Sequence, residues 1–298
     1  MNKRRKSKKQ YIATVFAAII ILIAGVIYAI DTLSNPQQNI PASGDTVILS
    51  VQFIDVGQAD STLITLSTGE TMLIDAGEAT EATPIFEELD ERNIDDIDIL
   101  VATHPHSDHI GGMRSIVERY DIGRVLIPNM SSDSKTYTNM INSLNSKDIT
   151  IDEAYAGYSF FLGSAQCIVV SPNAEDDKDA NNESIVIYLD YGDTDFLFTG
   201  DMEEWAEDRV LDAHYYIDAD VLKVAHHGSS TGSCEAFLAA VSPDYAVISC
   251  GLNNSYGHPH TDTLDRLYEI GARIYRTDVL GDVLFVSDGK TLTITTGG

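Results

Sequence analysis

Six consecutive residues, His104 to His109 (HPHSDH), put three imidazoles and a carboxylate into one short segment. Neutral imidazole with carboxylate is a ligand set for zinc, or for manganese or iron where oxygen donors dominate. In extended backbone, side chains two apart share a face. His104 and His106 are therefore expected to hold one metal, with Asp108 and His109 turned toward a second. A solvated polar loop is the bland alternative; the H-x-H-x-D-H spacing, set between an apolar run and Gly111-Gly112, argues against it.

That motif needs a rigid seat. The run containing Ile97, Ile99, Leu100 and Val101 reads as a buried strand, and helical spacing resumes over Ile110 to Tyr120. The motif is then a strand-to-helix loop, with free N–H groups at the helix start available to an anionic substrate. A second strand, Phe196 to Thr199, ends in Gly200-Asp201, where the carboxylate can bridge two metals and also cap the following helix. A third, Asp220 to Ala225, runs into His226-His227. Adjacent side chains of an extended strand point apart, so one imidazole is expected to be a ligand, His226 preferred and His227 the alternative. The other would face the substrate or the interior. Lys223, within that apolar strand, reads as a snorkelling edge residue, with a phosphate contact as the alternative. Pro259 forces extension between His258 and His260, in a loop poorly suited to a core histidine. Thr261 is expected to cap the helix after it, and Arg276-Thr277-Asp278 to end a strand facing the same cleft. Asp55 and Asp60 share a Gly-containing turn beside the first strand. The acidic stretch Asn173 to Glu183 reads as a solvated loop, since the Gly-punctuated spacing of a calcium loop is absent.

H-x-H-x-D-H, MLIDAGE (Met72 to Glu78), LFTGD (Leu197 to Asp201) and LKVAHHGSS (Leu222 to Ser230), in that order, resemble the metallo-β-lactamase superfamily. IDVGQADS (Ile54 to Ser61) and YGHPHTDTL (Tyr256 to Leu264) are similar to the hydrolase domain of ComEC-type competence DNA-uptake proteins. The resemblance covers about residues 47 to 296. It implies an α/β four-layered αββα sandwich with a dinuclear centre. The implied ligands are His104, His106, Asp108, His109, Asp201 as bridge, and one of His226 and His227. It implies that Asp75 braces the metal-binding loop without binding metal, and that His258 contacts phosphate or donates a proton, with His260 a lesser candidate. His227, Lys223, His260 and Asp278 remain possible substrate contacts. The chain departs from the superfamily pattern after the acidic loop: where many members carry a further His, it has Asn181, Asn182, Glu183 and Ser184. The first metal then has one protein ligand fewer, which places manganese beside zinc among the two expected divalent ions. Ala59 stands where relatives often carry Gly. The implied activity is a hydrolysis by metal-activated water, with Asp108, Asp201 and His258 catalytic. Phosphodiesters, DNA first among them, are the expected substrates. The alternative is a small ester of the cell envelope, in the manner of a phosphorylcholine esterase or a lactonase.

The 298 residues suffice for one large domain or two. The net charge is −27, yet six of the first ten residues are Lys or Arg, leaving 13 basic against 46 acidic residues, or −33. Such a surface argues against tight, charge-driven binding of nucleic acid. Residues 1–10 form a basic head. Tyr11 to Ile30 follow without a charge, long enough as a helix to cross the roughly 30 Å core of a bilayer. The head predicts a cytoplasmic N-terminus and an extracellular remainder, with a cleaved signal peptide as the alternative. Residues 31–45 read as a linker and 46–298 as the hydrolase domain. Cys167, Cys234 and Cys250 form no disulfide framework. Phosphate-loop, Ser-His-Asp and dinucleotide signatures are missing from the sequence.

Overall fold

A computed structural model describes residues 46–173 and 179–297. The basic head, the expected span and the linker lie outside the described residues, as does 174–178 of the acidic stretch. Among the described residues no helix is long and apolar enough to cross a membrane.

The strands in chain order are β1 (Leu49–Phe53), β2 (Thr62–Leu66), β3 (Thr71–Ile74), β4 (Asp96–Val101), β5 (Asp121–Pro128), β6 (Thr150–Ala154), β7 (Ser159–Leu162), β8 (Ala165–Ser171), β9 (Val186–Tyr191), β10 (Thr194–Phe198), β11 (Val221–Lys223), β12 (Tyr245–Ile248), β13 (Arg273–Arg276), β14 (Val283–Ser287) and β15 (Leu292–Thr296). They make two sheets, ordered β15-β14-β1-β2-β3-β4-β5-β6 and β13-β12-β11-β10-β9-β8-β7. The helices are α1 (Thr83–Glu91), α2 (Ser107–Ile110), α3 (Met113–Arg119), α4 (Lys135–Ser146), α5 (Glu204–Asp212), α6 (Glu235–Val241), α7 (Thr261–Glu269) and α8 (Thr277–Leu280). Short 3-10 turns lie at Asn181–Glu183 and Ala225–Gly228.

Period-two alternation decides which side chain faces which layer. Ile64, Ile99, Phe196 and Phe285 pack between the sheets. Their neighbours Leu63 and Leu100 point outward onto Ile85, Leu89, Ile116 and Leu144 of the first helical layer. On the other side Leu197 and Leu222 meet Val210, Phe237 and Leu267. Sheets buried on both faces need apolar residues at consecutive positions, which is why β9, β10 and β11 read as near-continuous apolar runs. The result is the four-layered αββα sandwich.

The strands that matter for chemistry run parallel. β3, β4, β5 and β6 are parallel neighbours in one sheet, and β10, β11, β12 and β13 in the other. The motif loops after β3, β4, β10, β11 and β12 all leave C-terminal strand ends, the place where open α/β sheets gather their sites.

Three local expectations are corrected. The helix expected over Ile110 to Tyr120 is two short helices, and α2 starts at Ser107, inside the motif. Gly112 lets their junction press against the loop after β3: a Cβ there would lie 2.2 Å from the Ala76 carbonyl oxygen. Thr261 does not cap α7; His260 holds that position, without a side-chain cap bond. The end of the acidic stretch is not solvated, since Asn181, Asn182 and Glu183 are buried. Strand β6 was not legible, its TIDEA segment being only weakly apolar. The three cysteines are free.

Candidate metal centre

The C-terminal ends of β4, β10 and β11 bring six side chains together. His104 Nε2 and His106 Nδ1 stand 3.0 Å apart, and with an Asp201 oxygen they form one group able to hold an ion. Asp108, His109, Asp201 and His227 form a second such group. Asp201 belongs to both. Its Oδ1 lies 3.1 Å from His109 Nε2, and its Oδ2 lies 3.8 Å from His104 Nε2 and 3.7 Å from His227 Nε2. His227 Nε2 is 3.3 Å from Asp108 Oδ2.

Buried neighbours fix the outward edge of each ring, so that the inward nitrogens are the ones left free. Asp75, with a left-handed φ of 59°, accepts the Thr103 N–H at Oδ1 (2.9 Å). Its Oδ2 accepts the Thr103 hydroxyl and His109 Nδ1–H, each at 2.7 Å. It thus holds the strand end and the His109 ring at once, from behind. His227 Nδ1–H donates to the Ser249 carbonyl (3.0 Å) and lies 3.2 Å from Asp60 Oδ1. Asp60 Oδ2 in turn meets Lys223 Nζ at 2.7 Å, while the Asp60 N–H donates to the Asp108 carbonyl (3.1 Å). The Gly-containing turn after β1 therefore clamps both the motif loop and the His227 ring. Asp55 takes no part: its carboxylate accepts the Gly57 N–H.

Two buried atoms test whether a cation fits. His109 Nε2 and Asp201 Oδ1 face each other, and neither has a hydrogen-bond partner. With His109 Nδ1–H given to Asp75, lone pairs confront each other unless a proton or a metal lies between them. Without metal, protons take that place. Burial opposes charging His109, yet Asp201 and Asp75 hold it well above the usual imidazole range. Burial likewise opposes charging His227, and Asp201 and Asp60 nonetheless push it up to about 10. Asp201 is held well below the ordinary carboxylate range despite its burial, by His109, His227 and His104. The donor set of imidazoles and carboxylates fits two divalent cations.

The structure corrects the sequence preference for His226. β11 stops at Lys223, and His226 and His227 then both take left-handed backbone (φ 48° and 53°), a strained pairing of the kind found at functional sites. The extended-strand argument therefore does not apply. His227, buried, joins the metal group; His226 is partly exposed, and its Nδ1 turns to Glu203 Oε1 (3.1 Å) and the Thr231 hydroxyl (3.2 Å). Its Nε2 is 3.7 Å from Asp201 Oδ2.

Lys223 is corrected as well. It is neither snorkelling nor placed for a substrate: β11 is an inner strand, and the buried ammonium pairs with Asp60 and donates to the Val224 carbonyl. His260 is spent on the loop, its Nδ1 accepting the Ser230 N–H (3.0 Å) and its Nε2 lying 3.2 Å from the Tyr256 carbonyl. Asp278 is engaged by Arg276 at 2.6 Å. Neither His260, Asp278 nor Arg276 lines the cleft.

The cleft over the cluster has a volume of about 280 Å³, room for one phosphoryl ester and a flanking group. His258 does line it, together with three residues that sequence reasoning passed over: Gln58, Asn181 and Tyr256. Gln58 was visible only as a polar residue in the tight turn of IDVGQADS. Its Oε1 accepts the Gly251 N–H (3.0 Å), which turns its amide nitrogen to His258 Nδ1 (3.3 Å). His258 Nδ1 is thus an acceptor, and Nε2–H is the donor left for a ligand. Burial, then His227, His226 and His260, push this imidazole down to about 4. Among these imidazoles the neutral ring is favoured, and it offers Nε2–H as a hydrogen-bond donor. Tyr256 stacks on it, ring centroids 5.7 Å apart.

The sequence profile of the Metallo-beta-lactamase superfamily matches residues 54–131 and 178–252. The chain is 30% identical over 252 residues to ComE operon protein 3 of Bacillus subtilis, covering 79% of this chain and 32% of that protein. It is 29% identical over 269 residues to Recombination protein 2 of Haemophilus influenzae, covering 89% and 31%. The chain thus spans about a third of the length of the curated relatives it matches. Among solved structures, CmlA, a diiron β-hydroxylase from Streptomyces venezuelae, shares the fold with a TM-score of 0.54 at 18% identity, over 79% of this chain and 53% of that one.

Proposed function

The chain belongs to the metallo-β-lactamase superfamily, and from that premise we propose that it hydrolyses phosphodiester bonds with two divalent cations, zinc or manganese, in the manner expected of ComEC-type hydrolase domains. The observation carrying this is the pair of ligand groups sharing Asp201 beneath a cleft that also presents His258. His104, His106 and Asp201 would hold one ion, and Asp108, His109, Asp201 and His227 the other. Bound there, the cations supply Lewis acidity and a water of lowered pKa. The chain's own groups do the rest. Asp75 and Asp60 keep the His109 and His227 rings aimed inward. His258, kept neutral and oriented by Gln58, donates Nε2–H to a phosphoryl oxygen as charge gathers on it. Tyr256 and the strained His226–His227 turn shape the wall against which the ester lies.

A second reading, hydrolysis of a small ester of the cell envelope, is favoured by one observation: among the described residues, none lining the cleft is Lys or Arg. A long polyanion gains little there, and the chain's negative field opposes it. The test is cleavage of a single-stranded oligonucleotide and of bis(p-nitrophenyl) phosphate by the metal-loaded chain, with Asp108→Ala as control. If both resist while a lactone, thioester or phosphocholine ester is cleaved, the phosphodiesterase reading fails.

We also propose that Tyr11 to Ile30 anchors the chain with residues 46–298 outside the cell, on the strength of the basic head before an uncharged span. Protease added to intact cells should then digest the catalytic part. Protection until lysis overturns that topology, and quantitative release into the medium points to a cleaved signal instead.

A further inference from the structure

The 3-10 turn Asn181–Glu183 enters the site where the sequence had suggested a solvent-facing loop. Asn181 is 7% exposed and lines the same cleft as His106 and Asp201. Its amide has a defined orientation. Glu203 Oε1 lies 3.4 Å from the Asn181 amide nitrogen, and a carboxylate can only accept, so the nitrogen is the end turned toward it. The same Glu203 oxygen accepts the Thr231 hydroxyl (2.9 Å) and faces His226 Nδ1 (3.1 Å), which fixes it in turn. The Asn181 backbone N–H donates to Asp179 Oδ1 (3.1 Å). After all these bonds, the amide oxygen Oδ1 remains buried without a hydrogen-bond partner.

A buried amide oxygen left unmet costs about 1–3 kcal/mol. In a cleft lined with imidazole nitrogens and carboxylates, the partner chemically suited to it is a cation. The group that needs one more donor is the first: His104, His106 and Asp201 offer three atoms, against four in the second group. We propose that Asn181 Oδ1 is a fourth ligand of the first metal, a neutral oxygen standing in for the imidazole that the sequence lacks. The inference rests on the dinuclear reading above. It makes the first site one of two nitrogens and two oxygens, with a single carboxylate, and so better matched to manganese than a site of three imidazoles.

The test is calorimetric titration of the metal-free full chain with Mn²⁺ and with Zn²⁺, supported by the Mn²⁺ paramagnetic resonance signal. The parent should show two binding steps. Asn181→Leu, of similar volume without the oxygen, should weaken one Mn²⁺ step roughly tenfold or more and leave the other unchanged. Asn181→Asp should retain that step. Asn181→His should shift it from Mn²⁺ toward Zn²⁺, because imidazole is the softer donor. An Asn181→Leu chain that titrates like the parent overturns the proposal, since Oδ1 would then meet only water or substrate. Should that variant fail to fold by circular dichroism, the Asp and His variants decide, and equal Mn²⁺-to-Zn²⁺ preference in the two overturns it. A parent that binds no metal defeats the dinuclear reading itself.

Discussion

The two ends of the β10–β11 strand pair both gather carboxylates and treat them in opposite ways. At the C-terminal end, Asp201 is buried among His104, His109 and His227, and Asp60 among Lys223 and His227. There burial is outweighed, and Asp201 stays ionised well below its ordinary range. At the N-terminal end, Asp195 sits directly across from Asp190, and its N–H donates to Asp220 Oδ2 (2.9 Å). Burial, with Asp190, Asp220 and Asp218 nearby, pushes the Asp195 carboxyl up to about 6, a Tyr188 hydrogen bond only partly offsetting it. The strands are shared, so the difference lies in the partners that each end meets. One end is supplied with cationic partners and reserves room for metal; the other carries like charges opposite one another, a destabilising arrangement. The large negative charge of the chain is therefore not one property but two.

Removing the shared acid should break the contrast most completely. Asp201→Asn is expected to lower kcat/KM on the order of a thousandfold or more and to cost bound metal at both positions by elemental analysis. Retention of two metals with near-parental turnover would refute the shared-ligand assignment. Next comes the clamp behind His227. Asp60→Asn leaves the Lys223 ammonium buried without its partner, which should cost about 3–5 kcal/mol in urea unfolding of the metal-free chain. Adding Lys223→Met should restore much of that; a double variant as unstable as the single one argues against the pair. Smaller again is the split between neighbours. His227→Ala should weaken metal binding at least tenfold more than His226→Ala, and the reverse ranking would return the ligand to His226.

The smallest effect lies at the far end. A carboxyl whose folded-state pKa exceeds its unfolded value takes up its proton first in the folded chain, so stability rises as pH falls from about 6 toward 4. Asp195→Asn should therefore stabilise the chain at pH 7, by less than about 1 kcal/mol for so solvated a group. The gain should fade near pH 4. A gain that persists unchanged at pH 4 would mean that charge is not its origin.

What could be read from the sequence was what local pattern determines. The strand before His104 and the apolar runs of both sheets each announce themselves within ten residues, and the layered fold follows. Three site features needed distant partners. Lys223 in an apolar strand looks the same whether it snorkels or meets Asp60, and nothing near it distinguishes the two. The His226–His227 turn depends on where β11 ends, which tertiary packing decides. Asn181 follows a run of acids whose composition suggests solvent, yet its own amide is held inward by Glu203. Composition averages over neighbours, whereas ligation depends on a single atom.

The pairing of β1 has a bearing on the order of events during synthesis. β1 is an inner strand, bonded on one side to β2 and on the other to β14, with Leu49 opposite Ser287. Its second neighbour is therefore made after all seven strands of the other sheet. At the usual pace of translation this interval lasts roughly ten to fifty seconds, during which β1 offers an open, apolar edge to any extended segment nearby. Asp282, just ahead of β14, accepts from the Asp55 N–H (2.7 Å) and the Gln52 amide (3.0 Å), so the late hairpin arrives with polar latches that fix its register on β1. A nascent chain stalled before Val283 would carry every residue of the two candidate metal groups on a sheet still lacking its seal.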